Sequence, residues 1–381
     1  MPTSSESELL NAPPVPTVGS AKPKLMHLQI LRAIAATLVV VDHAFVLLHN
    51  AGFDCGQYNH AGYLIGHSGV AAFFVLSGLI MMRQAGNSFG RPLSPFLFAW
   101  RRVTRIVPMY WIATLLWAVT FWNNEDPHPK RQIFYSLLFI PNYFAGHTRL
   151  FPVLQLGWTL NYEMFFYLIF TCALFFRKKL GISILLAAPA ILVAIGYAHS
   201  FPDDQNPLSL LSFYSNPFLL LFALGVMIGV AEAKLSEISW PISPAFLLLL
   251  PAVVFIAFPL TLGAFNLYAP LSIISALIVL LCALVKHKPS GVMERALVLL
   301  GDSSYSTYLF HPMILPLVVG IALRTWGSYP KTTASAMLLV LACIVFANLA
   351  GLLVHFAVER PLIRAFRHND FKGFNDLNQS R

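Results

Sequence analysis

Residues 28–48 read LQILRAIAATLVVVDHAFVLL. No proline or glycine interrupts this run, and its ionisable residues are Arg32, Asp42 and His43. The apolarity is continuous, not alternating, which points to a helix and away from a barrel strand. Roughly 20 apolar residues are what a helix needs to cross the hydrocarbon core. The same kind of run recurs near 66–82, 106–122, 157–176, 180–198, 214–231, 241–260, 266–285, 303–324 and 333–357. The stretch 133–145 is shorter and carries Pro141 and Asn142, so it reads as a re-entrant or interfacial piece. The expected fold is therefore an all-α integral membrane protein, a bundle of about ten transmembrane helices.

Composition agrees with that class. Hydrophobic residues make up 57% of the 381-residue chain and charged residues 11%, whereas soluble domains average about 25% charged. Residues 1–27 are polar and rich in Pro, Ser and Glu, the composition of a disordered tail. The first apolar run is long and no small-residue cleavage site follows it, so no signal peptide is expected. The expected domains are the tail 1–27, one membrane domain over 28–361 and a basic tail over 362–381.

Lysine and arginine orient the bundle. With the N-terminus inside, the outer segments hold Lys130, Arg131, Arg149, Arg324 and Lys331, and all the rest of the 25 basic residues fall on the cytoplasmic side. Both termini are thus expected in the cytoplasm. The net charge of +9 reads as topology and contact with anionic lipid. Nucleic-acid binding is a poor explanation for charges spread over short loops. The four cysteines suggest neither a disulfide framework nor a metal site. Cys55, alone in the first outer loop, is expected to be open to a membrane-impermeant thiol reagent.

Ionisable groups inside a bilayer are costly and mark functional positions. Arg32 and His43 are eleven residues apart, which is about 20° from whole turns, so they share a helix face about 16 Å apart along the axis. Asp42 points about 100° away. Taken singly, the arginine reads equally well as snorkelling to lipid headgroups and the histidine as hydrogen-bonded between helices. In FAWRRVTRIVPMYW, 98–111, Arg102 and Arg105 are i, i+3 neighbours in the loop after the second span. Arginine forks suit phosphate, and a plain positive-inside anchor is the simpler reading. In LGWTLNYEMFFYLIF, Glu163 has Thr159 and Tyr167 one turn either side. Such a buried carboxyl is protonated or paired across helices. His43 and Glu163 lie at similar depth, about 8–9 Å below the outer ends of their spans, and are expected to meet. In GDSSYSTYLFHP, 301–312, Tyr305, Tyr308 and His311 follow at three-residue spacing, and Pro312 frees a backbone carbonyl one turn back. His355 and Glu359 are one turn apart and read as a helix-end cluster. Gly69, Ser77 and Gly78 in the second span read mainly as close helix packing.

Together these residues resemble the acyltransferase family 3 membrane proteins. The first-span pattern of an arginine and a histidine separated by ten residues matches Arg32 and His43. The arginine pair separated by two matches Arg102 and Arg105. GVAAFFVLSG at 69–78, WTLNYEMFFY at 158–167, YSTYLFHP at 305–312 and ERP at 359–361 are similar to family signatures. The stretch 158–167 is nearest to the branch that acetylates exopolysaccharides. The resemblance implies a multi-pass enzyme of the inner (cytoplasmic) membrane. It would move an acyl group, acetyl by default, from cytoplasmic acyl-CoA to a hydroxyl of a cell-surface or exported carbohydrate. It implies Arg32, Arg102 and Arg105 as the acyl-CoA site and His43 as general base or transient acyl carrier, with Glu163 orienting His43 or holding the acceptor. Ser77, Tyr305, Tyr308 and His311 are substrate-binding or structural candidates. No permanently bound cofactor and no metal are expected. Two other readings stand beside it. One is a transporter or flippase for a glycolipid or small solute, against which the missing internal repeat counts. The other is a different acyltransferase family in which His311 or His355 is the base.

Overall fold

The computed structural model of the chain describes residues 26–56, 58–121, 128–142, 150–198, 210–235, 268–284, 291–326 and 330–366. Its regular elements are helices: α1 Met26–Asn50, α2 Tyr58–Ala85, α3 Ser94–Thr120, α4 Pro129–Leu137, α5 Trp158–Leu174, α6 Lys178–Ala198, α7 Leu210–Tyr214, α8 Phe218–Leu235, α9 Tyr268–Leu284, α10 Val292–Asp302, α11 Ser304–Trp326 and α12 Thr333–Val354. Helix α12 runs on through a π turn at His355–Glu359 and stays helical to residue 366. Seven of the described helices are long and apolar enough to cross a membrane, and Pro270–Leu284 is a shorter apolar one. They turn Leu115, Ile191, Ile321, Leu341 and Leu353 outward. A belt of exposed large apolar residues on long helices suits lipid, not water. The chain is a multi-pass membrane protein. The span expected at 241–260 lies outside the described residues, as do nearly all of the N-terminal tail and most of the C-terminal one.

The first helix ends as its sequence dictates. After LLHN, the pair Ala51-Gly52 lets Gly52 take φ +83°. Phe53 N then donates to Leu48 O at 3.0 Å and Gly52 N to His49 O at 2.9 Å, the paired closure of a Schellman motif. Phe53 and Leu48 are buried together beneath it. Asp54 N continues to Lys331 O at 3.0 Å, which ties this loop to the start of α12.

That closure corrects one expectation. Cys55 is 1% exposed, packed with Phe53, Val319 and Leu339. Burial, and then the Asp54 carboxylate, raise its thiol pKa above the ordinary value. The loop is short and strapped to α12, so its cysteine turns inward and is a poor target for labelling.

The helix ends sort into two sets. At one end Arg83 of α2 donates to Glu232 of α8 and to Ala283 O of α9 at 3.2 Å, so α8 and α9 finish together. Gly301 of α10 rests on Gln29 of α1, and Gly181 of α6 on Phe89. Trp100 of α3 meets Phe366. At the other end lie Asp54 with Lys331 and Gly196 of α6 against Ser215. Among the described residues, the helix ends that carry Arg83, Arg101, Lys178 and Arg364 thus fall at one end of the bundle. Helix α4, nine residues and about 14 Å long, is too short to cross and sits beside α3, in keeping with an interfacial piece.

Two span boundaries differ from the sequence reading. Helix α2 starts at Tyr58, and α3 starts at Ser94, with a proline in its first turn, twelve residues before the apolar run. The arginine pair therefore lies inside a helix and not in a loop. Apolarity alone misses this segment because its cations bury their stems while their heads find polar partners.

Glycines also bring two of the long helices into close contact. A Cβ on Gly78 would lie 2.1 Å from Phe222 O, and one on Gly225 would lie 2.1 Å from Val75 O, so α2 and α8 touch backbone to backbone. Gly78→Val is expected to destabilise the folded protein by about 1–3 kcal/mol or more, read as a lower thermal midpoint in detergent. Wild-type stability would show that the helices separate freely.

Candidate active site

Helices α1, α2, α3, α5 and α11 line a partly open pocket in the half of the bundle nearer the basic end. Arg32 enters from α1, Ser77 from α2, Arg102 and Arg105 from α3, Glu163 from α5, and Tyr305 and Tyr308 from α11. Seven residues named from the sequence as site candidates thus line one cavity.

Arg102 is the most enclosed of the three cations. It is buried, donates through Nη2 to Gln84 Oε1, and lies over the Phe98 ring at 5.2 Å and the Tyr167 ring at 5.4 Å. Aromatic faces offset part of the cost of a desolvated guanidinium. Among the described residues its Nε is a buried donor with no hydrogen-bond partner, so one edge of the fork remains to be satisfied. Arg32 donates to Gln29 Oε1 at 3.3 Å, and the charges it feels are those of Arg105, Glu359, Glu163 and Asp302. Three guanidinium groups against one lining carboxylate leave the pocket with an excess of positive charge, an arrangement that suits an anion.

Glu163 accepts from Ser77 Oγ at 2.8 Å and from the Tyr167 hydroxyl. Of its expected flanking stripe, Tyr167 is a partner. Thr159 instead bonds Tyr308 at 2.6 Å and Leu156 O at 3.0 Å. Ser77 is a polar anchor of the pocket, whereas Gly69 and Gly78 serve packing. Tyr305 donates to Ile106 O at 2.8 Å and pins α11 to α3.

The expected meeting of His43 and Glu163 is not what the structure holds. The partner of His43 is His311: Nδ1 of His43 lies 2.6 Å from Nε2 of His311, and the rings stack at 4.9 Å with 19° between planes. Depth counted from the span edges did not choose the partner: Glu163 lines the pocket with Arg32, and His43 is not in that lining. Helix α11 packs on α1 and brings its own ring to His43, while α2 supplies Ser77 to the carboxylate. The two arrangements adjoin through Tyr308, whose ring lines the pocket and lies 6.1 Å from that of His311. Phe73, also in the lining, packs edge-on to Tyr308 at 6.1 Å. Asp42 is turned to Gly66 of α2, as the 100° offset implied.

Beside the pocket, Glu359 accepts from Ser306 Oγ at 2.6 Å and from His355 Nδ1 at 2.8 Å. This is the expected helix-end cluster, and the π turn brings Glu359 to Ser306 of α11. The sequence reading did not name Gln84 or Phe73 as site residues, and it read Ser304 only as a possible helix cap. A signal existed for Gln84, which is seven residues from Ser77 and so on the same face of α2.

Comparison with known proteins decides the class. A family model described as "Acyltransferase domain", of acyltransferase family 3, matches residues 27–355. The chain belongs to that family, and it is a membrane O-acyltransferase. Over 327 residues it is 31% identical to the exopolysaccharide production protein ExoZ of Rhizobium meliloti (strain 1021), covering 83% of this chain and 95% of that protein. Over 328 residues it is 26% identical to the acyltransferase MdmB of Streptomyces mycarofaciens, covering 79% and 81%. No solved structure matches.

Proposed function

We propose that this enzyme transfers an acetyl group from cytoplasmic acetyl-CoA to a hydroxyl of a cell-surface or exported carbohydrate. The reading includes ten crossings of the inner membrane, with both termini and the basic end of the bundle in the cytoplasm. The observation that carries it is the arginine pocket with an unsatisfied Arg102 donor, adjoining a histidine pair on the side away from the basic end. The CoA phosphates would sit against Arg32, Arg102 and Arg105, and the pantetheine arm would run past Ser77 and Tyr308. Glu163, with its two hydroxyl donors, balances the cations and gives the thin arm a polar wall. The likeness to a protein named for exopolysaccharide production supports a carbohydrate acceptor, approaching from the far side.

The chemistry then needs one base. His43 takes the proton of the acceptor hydroxyl as that oxygen attacks the thioester carbonyl. The carbon–sulfur bond breaks, and the departing thiolate takes the proton back from the imidazolium as the free thiol. The products are the sugar ester and CoA. Histidine suits both steps because its ordinary pKa is near neutrality.

The test uses sealed membrane vesicles with labelled acetyl-CoA, which does not cross the bilayer. Inverted vesicles, which expose the cytoplasmic face, are expected to give alkali-labile label in the polysaccharide fraction. Right-side-out vesicles are expected to give little. Equal labelling from either face, or label that stays with CoA, would refute the reading.

A further inference from the structure

The hydrogen bonds around His311 fix where the proton sits on His43. Nδ1 of His311 is 2.8 Å from Tyr308 O and 3.3 Å from Thr307 O. A carbonyl can only accept, so Nδ1 of His311 carries a proton. His311 is 0% exposed, and among the described residues its partners are carbonyls and a second imidazole, so a charged ring there would be costly. The neutral ring has no second proton, and its Nε2 must accept. The donor facing it is Nδ1 of His43. His43 therefore carries a proton on Nδ1, and in its neutral form Nε2 holds a bare lone pair. The ring is half-buried, and no hydrogen bond to Nε2 is recorded among the described residues.

The carbonyl that starts this chain is available for a covalent reason. In a regular helix Tyr308 O would accept the N–H of residue 312. Residue 312 is proline and has none, so the carbonyl is free for the imidazole of His311. The dipeptide His311-Pro312 thus holds a neutral imidazole in one tautomer, and that ring holds the next one. A carboxylate in the place of His311 would orient His43 equally well but would favour its charged form. A neutral acceptor orients the ring without holding a proton on it.

We infer that His311 is a positioning residue for acyl transfer, which fixes His43 in the Nδ1–H tautomer and leaves Nε2 as the atom that takes the acceptor proton. This rests on the reading of His43 as the base. It makes His311 neither a substrate ligand nor the base itself.

The test compares full-length wild type, His43→Ala, His311→Ala and His311→Gln, purified in detergent and checked for a single folded species. Initial rates are measured against acetyl-CoA concentration. A glutamine amide oxygen can accept from Nδ1 of His43 where an alanine cannot. His311→Ala is expected to lower kcat by about 100-fold and leave the KM for acetyl-CoA within about twofold. His311→Gln is expected to recover at least tenfold of that loss. If the alanine variant does not fold, His311→Asn, whose shorter amide falls short of His43, takes its place. No loss in kcat, or an equal loss in the glutamine and the shorter variant, overturns the inference. A fully active His43→Ala instead overturns the reading beneath it, and the two failures are separate.

Discussion

His43→Ala is expected to lower kcat by about 10²–10⁴-fold, the usual contribution of a positioned general base. The effect falls on kcat because His43 is absent from the lining of the arginine pocket, so donor binding does not need it. The variant should still fold. Leu38, Val39, Val40 and Ala44 pack α1 into the core and are untouched. The structural cost is the loss of one partner for His311 Nε2, about 1–3 kcal/mol for a buried acceptor left unsatisfied. Initial rates at saturating acetyl-CoA, alongside the detergent melting midpoint, check both statements. A folded variant with wild-type kcat would remove His43 from the chemistry.

The second large effect is on donor binding. Arg102→Ala is expected to raise the KM for acetyl-CoA by about 10- to 150-fold, the loss of one charge-assisted contact worth about 1.5–3 kcal/mol. Arg102→Lys should not restore it. An ammonium cannot lie flat on Phe98 and Tyr167 while reaching both Gln84 and a phosphate. The neighbouring Arg101 is exposed on the outer face of α3, and Arg101→Ala should leave KM within about twofold. Equal effects at 101 and 102 would reduce the pair to a positive-inside anchor.

Much of this site was legible in the sequence because single helices carry strong rules. The shared face of Arg32 and His43 follows from 100° per residue. The Glu163–Tyr167 contact follows from one-turn spacing, and the freed carbonyl of Tyr308 follows from Pro312. What was not legible lies between helices. The residue that reaches His43 is 268 positions away, and depth in the bilayer narrows such a pairing without choosing it. The sequence reading matched Glu163 to His43 by depth and did not weigh His311 as a partner. The packing of α11 against α1, and of α2 against α5, chose between them. The start of α3 was missed for a different reason. A hydropathy window penalises Arg101, Arg102 and Arg105 equally, although one faces outward and another is buried among aromatic rings. Cys55 was misjudged because the first outer loop was read as open, when its backbone is tied to Lys331.

The path of the donor is the central claim, and a bound thioether analogue of acetyl-CoA, which cannot transfer its acyl group, tests it most directly. The structure of the protein in a lipid nanodisc with this analogue should show the phosphates against Arg32, Arg102 and Arg105. The pantetheine arm should pass Tyr308, and the acetyl carbonyl should lie within one hydroxyl's width of His43 Nε2. Nucleotide density on another face of the bundle, or an acyl end that stops at Glu163 and never reaches His43, would contradict the account.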